Sequence, residues 1–121
     1  MKINLKGTGL EITPDVSDYL YKRLGAIEKF LPSEADGYII DVELGKTTKH
    51  HQAGDIFRAE INIHIGGKAF RAVSEQEDLM TAIDDIKDEI SRELSSHKGK
   101  KMSLVRRSGQ RIKNMFRRFY R

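Results

Sequence analysis

The adjacent histidines His50-His51 come nearest, by type and spacing, to a reactive site in this 121-residue chain. Two imidazoles in the polar loop GKTTKHHQAG (Gly45–Gly54) can contribute to a metal site, but such a site needs further protein ligands, and no spacing in the chain supplies a third. They read as a solvated loop pair. Asp84-Asp85 and Asp88-Glu89 offer neighbouring carboxylates, yet helical periodicity assigns them to a solvated face, and His64 alternates with Glu60 on a polar strand face. The chain has no cysteine, so neither a thiolate nucleophile nor a disulfide framework is available. Nor does it contain a phosphate-binding glycine loop, an HExxH pair or a serine in a nucleophile elbow. The sequence predicts a non-enzyme with no cofactor, no metal and no small-molecule substrate.

Charge carries the stronger signal. Residues 98–121 hold ten bases (Lys98, Lys100, Lys101, Arg106, Arg107, Arg111, Lys113, Arg117, Arg118 and Arg121) and no acid. The other twelve bases face all 18 acids, which leaves residues 1–97 with a net charge of −6. An acidic body with a +10 tail calls for an anionic partner: nucleic acid, a membrane surface or an acidic protein. MKINLKG at the start resembles no signal peptide, and no stretch approaches the ~20 apolar residues that cross a bilayer. A soluble, cytoplasmic protein is expected.

The elements that must position these charges follow from periodicity. Met1–Gly7 alternates Ile3 and Leu5 with polar residues, as a half-buried strand does. Thr13-Pro14-Asp15 opens a helix with a capping threonine, a proline at its first position and an acid after it. Val16, Leu20, Leu24, Ile27 and Leu31 form its apolar stripe, Lys22, Ala26 and Lys29 a solvent-facing line, and Pro32 its end. Tyr38–Leu44 reads as a second strand. Phe57–Ile65 reads as a third, Gly66-Gly67 as a two-residue hairpin turn, and Lys68–Val73 as a fourth strand. Ser74 with Glu77 has the form of a capping box for a second helix. Its stripe is Leu79, Ile83, Ile86, Ile90 and Leu94, and Gly99 is its stop.

The order β-α-β-β-β-α predicts a two-layer α/β (α+β) sandwich. Its four-stranded mixed sheet has two helices on one face: a right-handed parallel β-α-β unit followed by an antiparallel meander. One domain is expected over 1–98, with a basic tail over 99–121. The open sheet face (Lys2, Asn4, Lys6, Arg58, Glu60, Asn62, His64) lacks aromatics, which disfavours reading single-stranded RNA by stacking. Folded RNA, recognised through phosphates and shape, remains.

Leu10-Glu11-Ile12-Thr13-Pro14, Arg23-Leu24 and Glu28-Lys29-Phe30 resemble the first-helix pattern of the ribosome hibernation-promoting factors, the family that includes protein Y. Glu77-Asp78-Leu79-Met80-Thr81-Ala82-Ile83 resembles their second-helix motif, and Arg92-Glu93-Leu94 with His97-Lys98-Gly99 its end. The resemblance covers roughly residues 1–100. It implies the fold just derived and a role as a ribosome-associated inactivator that binds small-subunit rRNA in the mRNA/tRNA channel and blocks decoding. It also implies that Arg23, Lys29, Arg92 and Lys98 face rRNA; Lys22 and the bases of the tail join them as candidates. Family members often carry bases where Glu89, Ser95 and Ser96 stand. The long forms' C-terminal dimerisation domain has no counterpart here, so dimerising ribosomes through such a domain is not expected; the protein itself is expected to be a monomer.

From Met102 onward no family motif matches. At about 100° per residue, Leu104, Val105, Ile112, Met115, Phe116 and Phe119 fall within an arc of roughly 120°, opposite the bases. A basic amphipathic helix of this kind suits rRNA or an acidic ribosomal protein. The alternative is a membrane-surface adaptor anchored by the tail.

Overall fold

The computed structural model describes residues 1–32, 37–48 and 54–98. His50 and His51, the Gly99 stop and the whole of the tail lie outside the described residues. Strands β1 (Asn4–Thr8), β2 (Tyr38–Thr48), β3 (Asp55–Ile65) and β4 (Lys68–Gln76) form one sheet in that order. β1 pairs with β2 in parallel, and the other two pairings are antiparallel, as the sequence predicts. The turn between β3 and β4 places Gly66 at φ 59°, a conformation that costs glycine nothing.

Helix α1 (Pro14–Leu24) starts as its residues dictate: the Val16 amide donates to Thr13 Oγ1 at 3.3 Å and Pro14 occupies the first turn. It does not run on to Pro32 as expected. Gly25, the weakest helix former after proline, marks a change to a 3-10 helix over Gly25–Phe30. Leu31 is then extended (φ −88°, ψ 147°), the conformation that a following proline favours. The tightened turn still buries Ile27, so the apolar stripe survives the change of pitch.

The second helix, α2, begins at residue 79, later than the Ser74–Glu77 box predicts, and continues through residue 98, the last one described. Ser74 lies in β4 opposite Ala59, because the eleven-residue β3 offers pairing partners as far as Gln76. That ladder prevails over the local cap. Asp78 caps α2 instead: its Oδ2 accepts from the Thr81 amide at 3.1 Å and from the Thr81 hydroxyl at 2.9 Å. The Ser74 hydroxyl and the Gln76 amide both donate to Asp85 Oδ2, at 2.8 and 2.7 Å, fastening the end of β4 to α2. β2 likewise outruns its expected end at Leu44. Gly45 to Thr48 pair with Arg58 to Asp55, and Lys46 forms an ion pair with Asp55 at 3.1 Å.

The core lies between the sheet and the helices. Ile40, Val42, Leu44, Ala59, Ile61, Ile63, Phe70 and Ala72 meet Leu20, Leu24 and Ile27 from one side of the helical layer and Leu79, Ile83, Ile86, Ile90 and Leu94 from the other. Each large side chain buried here contributes roughly 1.5–3 kcal/mol of transfer free energy. No polar side chain is fully buried among the described residues.

Candidate nucleic-acid interface

Tyr19 and Arg23 of α1 reach Asp84 near the start of α2, while Lys29 is reached by Lys98 in the last described turn of α2. The two helical segments therefore run side by side in the same direction, and the carbonyl end of the 3-10 helix lies beside that turn. Cations are favoured beside the carbonyl end of a helix.

Lys29, Arg92 and Lys98 gather there. The Lys98 ammonium donates to the Lys29 carbonyl at 2.7 Å, closing the end of the 3-10 helix with a charged donor. The Lys29 ammonium lies 5.1 Å from the Phe30 ring centroid. Arg92 is exposed on the ridge between two grooves. One, of about 460 Å³, is lined by Lys29, Phe30, Ser91 and Ser95 among others; Ser91 Oγ is buried there without a hydrogen-bond partner. The other, of about 420 Å³, is lined by Lys68, Phe70, Glu93 and His97, with the His97 ring edge-on to Phe70 at 5.2 Å.

Lys68 and His97, which the sequence reading does not single out for contact with RNA, come together in this groove because β4 begins just after the Gly66-Gly67 turn, beside the last described turn of α2. Lys22 is exposed on α1 and stands apart from the Lys29–Arg92–Lys98 group. Arg23 is set further along the helical layer. Its Nε is 3.1 Å from Asp84 Oδ1 and its guanidinium carbon 4.9 Å from the Tyr19 ring centroid. The Tyr19 hydroxyl donates to the same Asp84 oxygen at 2.8 Å. Hydrogen bonding with Tyr19, and then the Asp84 charge, raise the Arg23 pKa further.

The open sheet face differs in kind, because its charges are paired with one another. Asn4 donates to Asp41 at 3.0 Å, and Lys6 lies 4.0 Å from Glu43. Glu60 accepts from Arg71 Nε at 2.9 Å and from Arg58 at 3.4 Å. The Arg71 hydrogen bond, with Arg58 adding its charge against the cost of partial burial, lowers the Glu60 pKa. By strand alternation the face presents no Phe, Tyr or Trp among the described residues, and His64 is its one ring there. Its Lys6, Arg58 and Arg71 lie against acids, whereas Lys29, Arg92 and Lys98 gather on the helical layer, so the helical layer is the side better suited to phosphates. No group of three or more His, Cys, Asp or Glu placed to hold a metal occurs among the described residues.

A family model described as Sigma 54 modulation protein / S30EA ribosomal protein matches residues 3–102. A ribosome hibernation promoting factor of Klebsiella oxytoca is 30% identical over 100 residues, which cover 83% of this chain and 96% of that protein. One from Pseudomonas putida is 29% identical over 111 residues, covering 92% of this chain and 100% of the relative. Among solved structures, the N-terminal domain of Thermus thermophilus protein Y superposes with a TM-score of 0.66 at 26% identity, covering 80% of this chain and 99% of that domain.

Proposed function

The chain belongs to the Sigma 54 modulation protein / S30EA ribosomal protein family, and from that membership we propose that it is a ribosome-associated hibernation factor. It acts in the cytoplasm as a monomer, binding small-subunit rRNA in the mRNA/tRNA channel and blocking decoding by occupancy rather than by catalysis. The observation that carries this reading is the family match over residues 3–102. The convergence of Lys29, Arg92 and Lys98 where the 3-10 helix ends beside α2 agrees with it. These bases, with Lys22, Arg23 and the tail bases Lys100, Lys101, Arg106, Arg107, Arg111, Lys113, Arg117 and Arg118, neutralise rRNA phosphates. That contribution is independent of base sequence and sensitive to salt.

The test is sedimentation with purified small subunits. The protein is expected to pellet with them, to suppress cell-free translation, and to be displaced by tRNA and mRNA bound in the channel. Pelleting that channel ligands leave unchanged excludes occlusion of the decoding region. Association with anionic liposomes in place of subunits would make the tail a membrane anchor.

A further inference from the structure

Asp84 is an acid set between two helical segments whose proposed partner is a polyanion. Charge alone makes it a liability there, since a carboxylate repels phosphate. Its contacts suggest a different role. One oxygen, Oδ1, accepts the Tyr19 hydroxyl (2.8 Å) and lies 3.1 Å from Arg23 Nε in an ion pair, the two α1 side chains being one helical turn apart. The guanidinium carbon also lies 4.9 Å from the Tyr19 ring centroid. Arg23 is thus held at Nε and across its face. The ion pair to Asp84 is made at Nε, and the Arg23 side chain remains 47% exposed. Two parallel donors on one planar edge match two oxygens of a phosphate.

We propose that Asp84 and Tyr19 are positioning residues that hold Arg23 as a pre-formed fork for one phosphate of the bound RNA. The inference rests on the rRNA-binding function proposed above and adds the device that orients one of its contacts. A free arginine loses rotamer freedom when it grips a phosphate; a clamped one has lost it during folding, so more of the contact energy appears as affinity. Asp88, one turn further along α2, adds a second negative field near Arg23 and makes orientation all the more necessary.

The two views of Asp84 predict opposite signs. If it acts only as a negative charge, Asp84→Ala tightens subunit binding. As a positioning residue its loss weakens binding, expected at about three- to tenfold. The slope of log K against log[salt] should also flatten by about 0.7–0.9, the share of one phosphate contact. Arg23→Ala should do the same, and the double variant should bind no worse than Arg23→Ala alone, because Asp84 acts through Arg23. Arg23→Lys keeps the charge and loses the fork, and should resemble Arg23→Ala rather than the parent protein. Tyr19→Phe removes only a hydroxyl, and folded Tyr19→Phe should bind two- to threefold more weakly. Tighter or unchanged binding by Asp84→Ala, additive losses in the double variant, or parental binding by Arg23→Lys overturns the proposal. Should Asp84→Ala fail to fold, unchanged binding by Tyr19→Phe overturns it. Failure of the parent protein to bind subunits refutes the proposed function instead, so the two failures are distinguishable.

Discussion

The Lys98 side chain donates to the backbone carbonyl of Lys29 at 2.7 Å, joining two residues 69 positions apart. The bond ties the last described turn of α2 to the end of the 3-10 helix. It also sets Lys98 beside the carbonyl end of the 3-10 helix, where positive charge is favoured.

Lys98→Met tests that tie. Methionine retains most of the apolar stem and deletes the donor, leaving the Lys29 carbonyl to water. Both side chains are exposed, so the expected loss is about 0.5–1.5 kcal/mol in urea unfolding. A midpoint unchanged within error would show that the bond adds nothing to folding.

The start of α2 gives a second test, because sequence and structure place the cap differently. Asp78→Ala removes the acceptor of the Thr81 amide and hydroxyl and should cost about 0.5–2 kcal/mol. Glu77→Ala should cost far less, since Glu77 is exposed and precedes the cap. Equal losses would restore the capping box that the sequence suggested.

That displaced cap shows where the sequence was legible. Ile61, Ile63 and the Leu79–Leu94 stripe are spaced by the geometry of strand and helix, and every residue of that stripe is buried. Element ends were less legible, because they depend on distant partners. Ser74 is equally competent as a cap or as a strand residue until Ala59 pairs with it. The same holds for Gly45 to Thr48, a plausible loop until Arg58 and Asp55 lie opposite. At the interface, Arg23 and Lys29 are local features of a helix face. The clamp on Arg23 is not, since Tyr19 and Asp84 are 65 positions apart and meet only through packing.

Glu60 sets a pH dependence on the sheet face. Its folded pKa is lowered by the Arg71 hydrogen bond first and by Arg58 as well, from an ordinary value of 4.5. A carboxyl with a depressed folded pKa stabilises the fold above its unfolded pKa. That contribution is lost as pH falls through the folded value. The stability advantage of the parent protein over Glu60→Gln, measured by urea unfolding, should therefore hold at about pH 6 and shrink below about pH 4.5. As a partly exposed network it should amount to no more than about 1 kcal/mol. An advantage that grows on acidification would contradict the assignment.

The tail Met102–Arg121 lies outside the described residues, and its sequence alone sets the last prediction. At helical spacing its apolar and basic residues would separate onto opposite faces, a separation that a purely electrostatic anchor does not need. Removing the segment should flatten the salt slope of subunit binding by roughly 3.5–4.5 if five of its bases meet phosphates. Shuffling it, with composition kept, preserves that term, because counterion release counts neutralised phosphates. What shuffling destroys is the joint burial of Ile112, Phe116 and Phe119, each worth ~1.5–3 kcal/mol when complete. Even partial loss of three such contacts exceeds a tenfold change in affinity, so the shuffled protein should bind subunits at least tenfold more weakly at an unchanged slope. Ile112→Ser with Phe116→Ser should do much the same. Equal binding by the shuffled and native tails would mean that charge alone suffices. Lost liposome binding with subunit binding intact would assign the apolar face to a membrane.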